Sequence, residues 1–535
     1  MQTLAPPVTR IAAPPLSRAV AVAAGTAVES DSLIELAELL ALMNNNPSTN
    51  KWDVVCSYTL DSINAYLQAE QQASPLPSTL TLKTSLSFFG QTYPLTYDLV
   101  LGTPLLSFSA AQSGVATLTI PIEPSSTWSA PTAPVTSGQV PTGLSVQITT
   151  PLGAVTGAEM QTPLPSQTQI TFEGTGSQSY QIVLDFATGL NGTTAKISIV
   201  PPPPPDAQDV WDTTLLPALT TYLSELRNVY YVLGAVSDTP PPAGTLALTP
   251  KSFAFDTWAS ADGMSGVLSI FIQTHESNNP PGAAGAPFEP GNGNVVSPVP
   301  SGYTASLILS NQLIKQFITN QLTRGSDPQW DSVTFEQPAN RGLMATLSSP
   351  QPIFSNASNN DGWWGSYNYD GVETTFDKNP VQLTIADGNL SVCWPNPVTL
   401  SSGWTQTVVG APNPTYGTVY VTISLNSTPT PFASDTDTSL IAANFTLSAS
   451  DFTYTTSAKG CKWYSTGCAE YIPSYYDQIT FSVPSIGISL PDLNYFATTN
   501  VLSPGQTVIS INSQTGVQTP CDFLLLGNVV NNTAS

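Results

Sequence analysis

The chain has 535 residues, of which 41% are hydrophobic and 9% are charged, and it exceeds the ~250–300 residues at which a single core stops growing. Its 13 basic residues against 36 acidic ones give a net charge of −23, which argues against nucleic-acid binding and against a polybasic membrane patch, since both need clustered Lys and Arg. One histidine excludes His-rich metal sites, and no run approaches the ~20 apolar residues of a membrane span.

Residues 1–50 are predicted to be a leader that contains one short helix. Ser32 and Glu35 match the S-x-x-E capping box that starts many helices. The apolar residues around this box lie on one helical face: Leu33, Leu36, Leu39, Leu40 and Met43. The Ala/Val run at 19–28 is only weakly apolar and is not a convincing signal peptide, so the localisation stays open.

Residues 51–276 are predicted to form the first of two similar halves. A strand-like start, WDVVCS, runs into a helix for which Ser57 is the expected N-cap. The apolar face of this helix consists of Leu60, Ile63 and Leu67. Segments with period-two alternation, such as GVATLTIPIE and SYQIVLDFA, then predict antiparallel strands, and a second helix is expected from Trp211 to Asn228. The scarcity of Lys, Glu and Arg, on which helical surfaces depend, predicts that strands dominate.

Residues 277–302 are rich in Pro and Gly and are predicted to be a loop or linker, and residues 303–535 form the second half. The segment TASLILSNQLIKQFITNQL repeats the order of strand, Ser and helix, with Ser310 in the place of Ser57. The apolar face of its helix consists of Leu313, Ile314, Phe317, Ile318 and Leu322. Almost all of the remaining sequence predicts strands.

Both helices are more apolar than surface helices usually are, which predicts that antiparallel sheet wraps around them. A sheet curled about a helix leaves an apolar seam in which an elongated hydrophobic ligand could lie. The candidate residues lining such a groove are Leu60, Ile63, Leu67, Leu313, Phe317 and Ile318. The simpler interpretation is that the same residues are core, and the sequence leaves both open.

Five segments follow one another in the order of a known family. They are Trp52 to Leu67, Val229 to Val236, Pro250 to Thr274, Ala305 to Ile314 and Thr499 to Gly527. Together they resemble the clostridial forty-seven-kilodalton and OrfX-type proteins, which are encoded beside some botulinum neurotoxin genes.

The resemblance implies a tubular lipid-binding (TULIP) fold. This is a strand-dominated α+β architecture in which strongly curved antiparallel sheets wrap around long amphipathic helices, here as two units in an elongated body. It also implies non-enzymatic binding of a lipid or other hydrophobic ligand by a toxin-cluster or insecticidal protein. Other proteins of such a cluster are the candidate partners. The competing hypothesis is a structural component of a toxin complex, whose barrel is filled by side chains and whose strand edges bind proteins.

The densest aromatic segment is DGWWGSYNYDG, whose rings are candidates for contact with a membrane interface or a sugar. Its aromatic residues are Trp363, Trp364, Tyr367 and Tyr369. Packing at the end of a barrel is the alternative, and a carbohydrate-binding protein is a weaker third hypothesis. No catalytic residue, metal ligand or cofactor is predicted, because His275 beside Glu276 lacks a nucleophile motif such as G-x-S-x-G.

Overall fold

The computed structural model describes residues 33–530 except 70–75, 89, 134–136, 157–163, 175, 186–194, 203–209, 226–229, 242–247, 281, 284, 292, 294, 325–329, 337–341, 351, 355–357, 363–364, 435–440, 446–448, 461–485, 491–492, 504–506 and 513–514. Of the described residues, 50% are in strands and 15% are in helices, so the fold is a strand-dominated α+β fold, and it contains two curled half-barrel sheets. None of the described helices is both long enough and apolar enough to cross a membrane.

The main helices are α1 (Leu36–Met43), α2 (Leu60–Ala69), α3 (Leu216–Glu225) and α4 (Asn311–Thr323). A π-helical turn, Trp211–Leu215, leads into α3, and the short α5 (Leu493–Tyr495) leads into another, Phe496–Asn500. With 13 residues, α4 is about 20 Å long at 1.5 Å per residue. The described helices are therefore of ordinary length, shorter than the resemblance implies.

The strands before the 277–302 segment are, in chain order, β1 (Val54–Thr59), β2 (Thr79–Phe88), β3 (Gln91–Val100), β4 (Leu105–Phe108), β5 (Val115–Pro121), β6 (Thr127–Ser129), β7 (Ser137–Gln139), β8 (Ser145–Val155), β9 (Leu164–Pro165), β10 (Ile170–Thr171), β11 (Ser179–Asp185), β12 (Lys196–Val200), β13 (Tyr230–Ser237), β14 (Pro250–Ala259) and β15 (Gly266–Thr274).

The strands after it are β16 (Ala305–Leu309), β17 (Ser332–Glu336), β18 (Leu343–Ser348), β19 (Pro352–Phe354), β20 (Ser358–Gly362), β21 (Gly365–Tyr369), β22 (Glu373–Thr375), β23 (Val381–Ala386), β24 (Asn389–Cys393), β25 (Val398–Val408), β26 (Thr415–Leu425), β27 (Thr430–Pro431), β28 (Ala433–Ser434), β29 (Ile441–Phe445), β30 (Phe452–Lys459), β31 (Ile486–Leu490), β32 (Val501–Leu502), β33 (Val508–Ile511), β34 (Val517–Gln518) and β35 (Phe523–Val530).

One antiparallel sheet, here called the central sheet, contains strands from both predicted halves. Its order is β10-β14-β15-β1-β16-β35-β33, and β34 also pairs with β35. In the middle pair, Cys56 of β1 lies opposite Leu307 of β16. Helix α2 begins at Leu60, four residues after Cys56, and α4 begins at Asn311, four residues after Leu307. The paired strands β1 and β16 are therefore related by a local two-fold axis that passes between Cys56 and Leu307, and each leads into a helix at the same distance from that axis.

The central sheet is buried on both faces, and its side chains alternate between them. The inner face contributes Val54, Cys56, Tyr58, Leu307 and Leu309 to a core that also contains the apolar faces of α2 and α4. The outer face contributes Val55, Phe271, Ile308, Leu524 and Leu526 to a second core. That outer core is closed by α1 and the 277–302 segment through Leu39, Met43 and Phe288. The leader helix thus packs on the body of the protein.

The other strands form sheets that lie mostly within one half. In the first half these are β32-β13-β11-β8-β5-β4, with β9 and β12 paired to β8, and β2-β3-β6-β7. In the second half they are β17-β18-β23-β24-β27, β20-β21-β25-β26-β30, β28-β29-β31 and β19-β22. β32 comes from the second half, but it pairs with β13 of the first through Val236 and Val501. The halves are joined by this contact as well as by the central sheet.

The structure agrees with the predicted N-cap of α4 and differs from the predicted N-caps of α1 and α2. Ser310 caps α4 as predicted, because its Oγ accepts a hydrogen bond from Leu313 N at 3.2 Å. Ser57 is not a cap, since β1 runs on to Thr59, whose Oγ1 accepts from Ser62 N at 3.4 Å. The N-cap of α1 is Glu35, without a side-chain cap bond, and Ser32 lies outside the described residues.

Candidate ligand-binding site

The predicted groove residues of α2 lie in the inner core. Leu60, Ile63 and Leu67 are buried and pack with β1, β4 and β15. Between them, Asn64 holds the helix to the edge strand β4: its Nδ2 donates to Leu106 O at 2.9 Å and its Oδ1 accepts from Leu106 N at 2.8 Å. This amide takes the place of a neighbouring strand at that point of the edge.

The predicted groove residues of α4 lie in the same core. Leu313, Phe317 and Ile318 are buried, and the most exposed of the three, Phe317, has 6% exposure. At the start of α4, Asn311 N donates to Asp522 Oδ1 at 2.9 Å, so a buried carboxylate lies at the positive end of the helix dipole. The structure thus brings all six predicted residues into one core. That they line a groove for a ligand stays a prediction.

Helix α3 lies over β2, a contact that the sequence does not reveal. Tyr97 Oη and Thr214 Oγ1 share a hydrogen bond of 2.8 Å, and burial raises the pKa of Tyr97. A cavity of about 20 Å³ lies nearby between strands and loops of the first half. Its lining includes Leu76, Leu101, Ile120 and Tyr231. It is a small gap in the apolar packing.

Two of the predicted aromatic contacts, Tyr367 and Tyr369, lie on β21, and the structure corrects the place of one of them. Tyr369 is 1% exposed and pairs in register with Trp404 of β25, so it is a core residue and does not lie at a loop tip. Tyr367 lies on β21 opposite Gln406, and its side chain is outside the described part. Trp363 and Trp364 lie outside the described residues. Their contact with a ligand stays a prediction.

A row of polar side chains that the sequence does not predict crosses the outer face of the central sheet. Asp256, Ser269, Ser57 and Ser306 stand side by side on β14, β15, β1 and β16, and all are buried. Ser57 Oγ and Ser269 Oγ share a hydrogen bond of 3.0 Å. Ser306 Oγ has no hydrogen-bond partner among the described residues.

Beside this row is a cavity of about 240 Å³. Apolar rings and side chains line one part of it, and Ser113, Asp256 and Ser269 line another. Burial raises the pKa of Asp256, although hydrogen bonds from Ser113, Thr257 N and Gln167 oppose this effect. The one local signal of the site is an acidic residue inside an otherwise apolar strand, PKSFAFDTW.

Two further buried carboxylates connect segments of the chain. Asp53 accepts from Thr274 N at 2.8 Å and from Ser277 Oγ at 2.6 Å, and Asp522 Oδ2 accepts from Ser48 Oγ at 2.8 Å. Burial raises the pKa of both. Within the described ranges, no group of three or more His, Cys, Asp and Glu side chains is placed to hold a metal ion. The hydrogen bonds of these carboxylates connect segments that are distant in sequence.

The sequence matches no protein-family model and no curated protein. Among solved structures, the chain is similar to P47 of Clostridium botulinum E1, with 10% identity over 91% of this chain and 100% of that one, at a TM-score of 0.45. P47 from Clostridium botulinum A2 has 12% identity over 90% of this chain and 98% of its own, also at 0.45. A lipopolysaccharide binding protein has 11% identity over 91% and 99%, at 0.23. These likenesses are distant, so the fold described above depends on the strand pairings.

Proposed function

We propose that this protein is a non-enzymatic, TULIP-like binder of a lipid or another elongated hydrophobic ligand. The observation that carries the proposal is the seam between helices and sheet: the apolar faces of α2 and α4 lie in one core with the inner face of the central sheet. A ligand that takes the place of some of these contacts would meet mainly apolar side chains along its length.

The chemistry of the seam favours an alkyl chain with an uncharged or zwitterionic head. Each buried methylene stabilises the complex by about 0.8 kcal/mol, so a long chain binds without a charged clamp. An anionic head group needs clustered Lys and Arg, and the chain has 13 such residues in 535. The composition therefore suits affinity that comes from the chain.

Entry of a ligand requires side chains to move. The gap of about 20 Å³ beside Leu101 has room for about one water molecule, far less than the ~300 Å³ of a small-ligand pocket. We place the first step of entry there, because Leu76, Leu101, Ile120 and Tyr231 are apolar and already incompletely packed.

Native mass spectrometry after incubation with dioleoyl phosphatidylcholine tests this proposal. The wild-type protein is expected to retain one lipid mass. Leu101→Trp fills the gap and is expected to lose it, whereas Leu105→Trp, at a leucine that is 51% exposed on β4, keeps it. Circular dichroism verifies that both variants fold. Absence of any retained lipid in the wild-type protein rejects the proposal.

A second function is favoured by the closed packing of the seam. All six predicted groove residues are at most 6% exposed, as expected for a barrel filled by side chains. In that case the protein is a structural component that binds other proteins through strand edges. Size-exclusion chromatography with the products of neighbouring genes separates the two functions, because a stable complex formed by lipid-free protein supports this one.

A further inference from the structure

The outer-face cavity of about 240 Å³ is separate from the helix–sheet seam. It lies between the turn that follows β4, at Ser109 to Ser113, and Pro287, Phe288 and Val295 of the covering segment. Phe271 and Phe288, both in the outer core, form an apolar wall of the cavity. Val295 lies on its solvent-facing side and is 45% exposed. The cavity thus has a buried floor and an accessible mouth.

Asp256 supplies a carboxylate to this cavity, although only 5% of the residue is exposed. Its Oδ1 accepts from Ser113 Oγ and from Thr257 N at 2.8 Å. Gln167 Nε2 lies 3.3 Å from both carboxylate oxygens and is the one described donor to Oδ2. Because a carboxylate oxygen accepts two hydrogen bonds, Oδ2 has an accepting position left.

No described Lys or Arg contributes to the environment of this carboxylate. A buried carboxylate without a cation is costly, and the cost is removed either by protonation or by a positively charged group that binds next to it. Ser269 Oγ lines the same cavity and offers another acceptor, since its bond to Ser57 leaves it one lone pair. The net charge of −23 raises the local concentration of cations around the protein.

The volume limits the size of the ligand. A dry cavity of roughly 150 Å³ is enough for benzene, and drug-sized ligands occupy at least about 300 Å³. A space of about 240 Å³ therefore suits one ring with a short arm.

We propose that this cavity binds a small primary ammonium compound with a single ring or an equivalent apolar body. The ammonium group donates to Asp256 Oδ2 and Ser269 Oγ, and the apolar body packs on Phe271 and Phe288 below Val295. Neither the sequence pattern nor the seam function requires this site.

NMR titration of the whole protein with benzylamine, and with benzyl alcohol as the uncharged probe of the same shape, tests the proposal. Benzylamine is expected to bind with a Kd near the millimolar range and at least tenfold more tightly than benzyl alcohol. Asp256→Asn is expected to remove that difference, while Asp61→Asn, at an exposed carboxylate of α2, leaves it unchanged.

Val295→Trp blocks the mouth at an exposed position and is expected to abolish binding of both probes, so the site stays testable even if Asp256→Asn unfolds. If the wild type, Asp256→Asn and Val295→Trp bind benzylamine with equal affinity, the cation is held by the acidic surface in general. That result overturns the proposal. Failure to bind benzylamine at all overturns it as well. Lipid retention measured on Val295→Trp separates this site from the seam, because that variant leaves the seam intact.

Discussion

The two faces of the central sheet are stabilised in different ways. On the inner face, Val54, Cys56 and Leu307 pack into the apolar core that holds α2 and α4, which includes a few hydrogen bonds such as those between Asn64 and Leu106. On the outer face, apolar residues alternate with the polar row from Asp256 to Ser306, and the cover comes from separate segments, α1 and 277–302. Hydrophobic burial dominates the inner face, whereas the outer face also depends on hydrogen bonds across the sheet and on the fit of its cover.

The largest expected effect is on the inner face. Ile318→Ala removes a fully buried side chain and is expected to lower the free energy of unfolding by about 2–5 kcal/mol. Ile34→Ala, at a half-buried residue of the outer cover, is the matched control and is expected to cost less than half as much. Urea unfolding followed by circular dichroism measures both. Equal costs contradict the contrast between the faces.

A smaller loss is expected where the cover meets the outer core. Gly282 lies so close to Trp52 that an added Cβ would be 2.4 Å from its ring. Gly282→Ala is therefore expected to destabilise the protein by about 1–3 kcal/mol through overpacking, and Ala283→Ser, at its exposed neighbour, by less than about 0.5 kcal/mol. A thermal melt of each variant measures the difference, and an unchanged Tm for Gly282→Ala shows that the segment is loosely held.

The polar row offers a comparison within the outer face. Ser57→Ala breaks the hydrogen bond to Ser269 and is expected to cost about 1 kcal/mol. Ser306→Ala, directly opposite on β16, removes a buried hydroxyl that has no described partner, so it is expected to leave stability unchanged or to raise it. Chemical unfolding of the two variants measures the change in the free energy of unfolding that each causes. A loss at Ser306 as large as that at Ser57 shows that this hydroxyl is bonded in solution.

The smallest effect is a change in pH dependence. Because burial raises the pKa of Asp256 above 3.8, the folded state binds more protons than the unfolded state at pH values between 3.8 and the raised pKa. The free energy of unfolding therefore rises as the pH falls through that window. Above the window, the ionised Asp256 carboxylate destabilises the folded state by its full amount. Asp256→Asn is expected to flatten the rise that thermal melts measure as the pH falls towards 3.8, and Asp61→Asn to retain it. Identical slopes in the wild type and Asp256→Asn contradict this assignment.

Local patterns were sufficient to predict some features and not others. The Ser310 cap and the apolar faces at Leu60 and Leu313 follow from spacing over a few residues, and the structure has them. Ser57 was misread because the length of β1 is set by pairing with β15 and β16, which are distant in sequence.

The outer-face site could not be predicted, because Asp256 meets Ser113 and Gln167 across separations of 143 and 89 residues. The sequence also does not predict which segments cover this face. Nothing in the spacing of Leu39 and Met43 says which surface their helix covers. Sequence reasoning thus recovers elements and their buried faces, while contacts between distant segments need the folded chain.

The register of Cys56 against Leu307 has a consequence for assembly. Two identical strands that met edge to edge about an axis at Cys56 would form the same isologous pairing, in which residue i faces residue j, j faces i, and only Cys56 faces its own equivalent. The covalent link between the halves supplies the second strand at high effective concentration, so the pairing forms within one molecule. The central strand pair thereby has the local symmetry of a dimer interface.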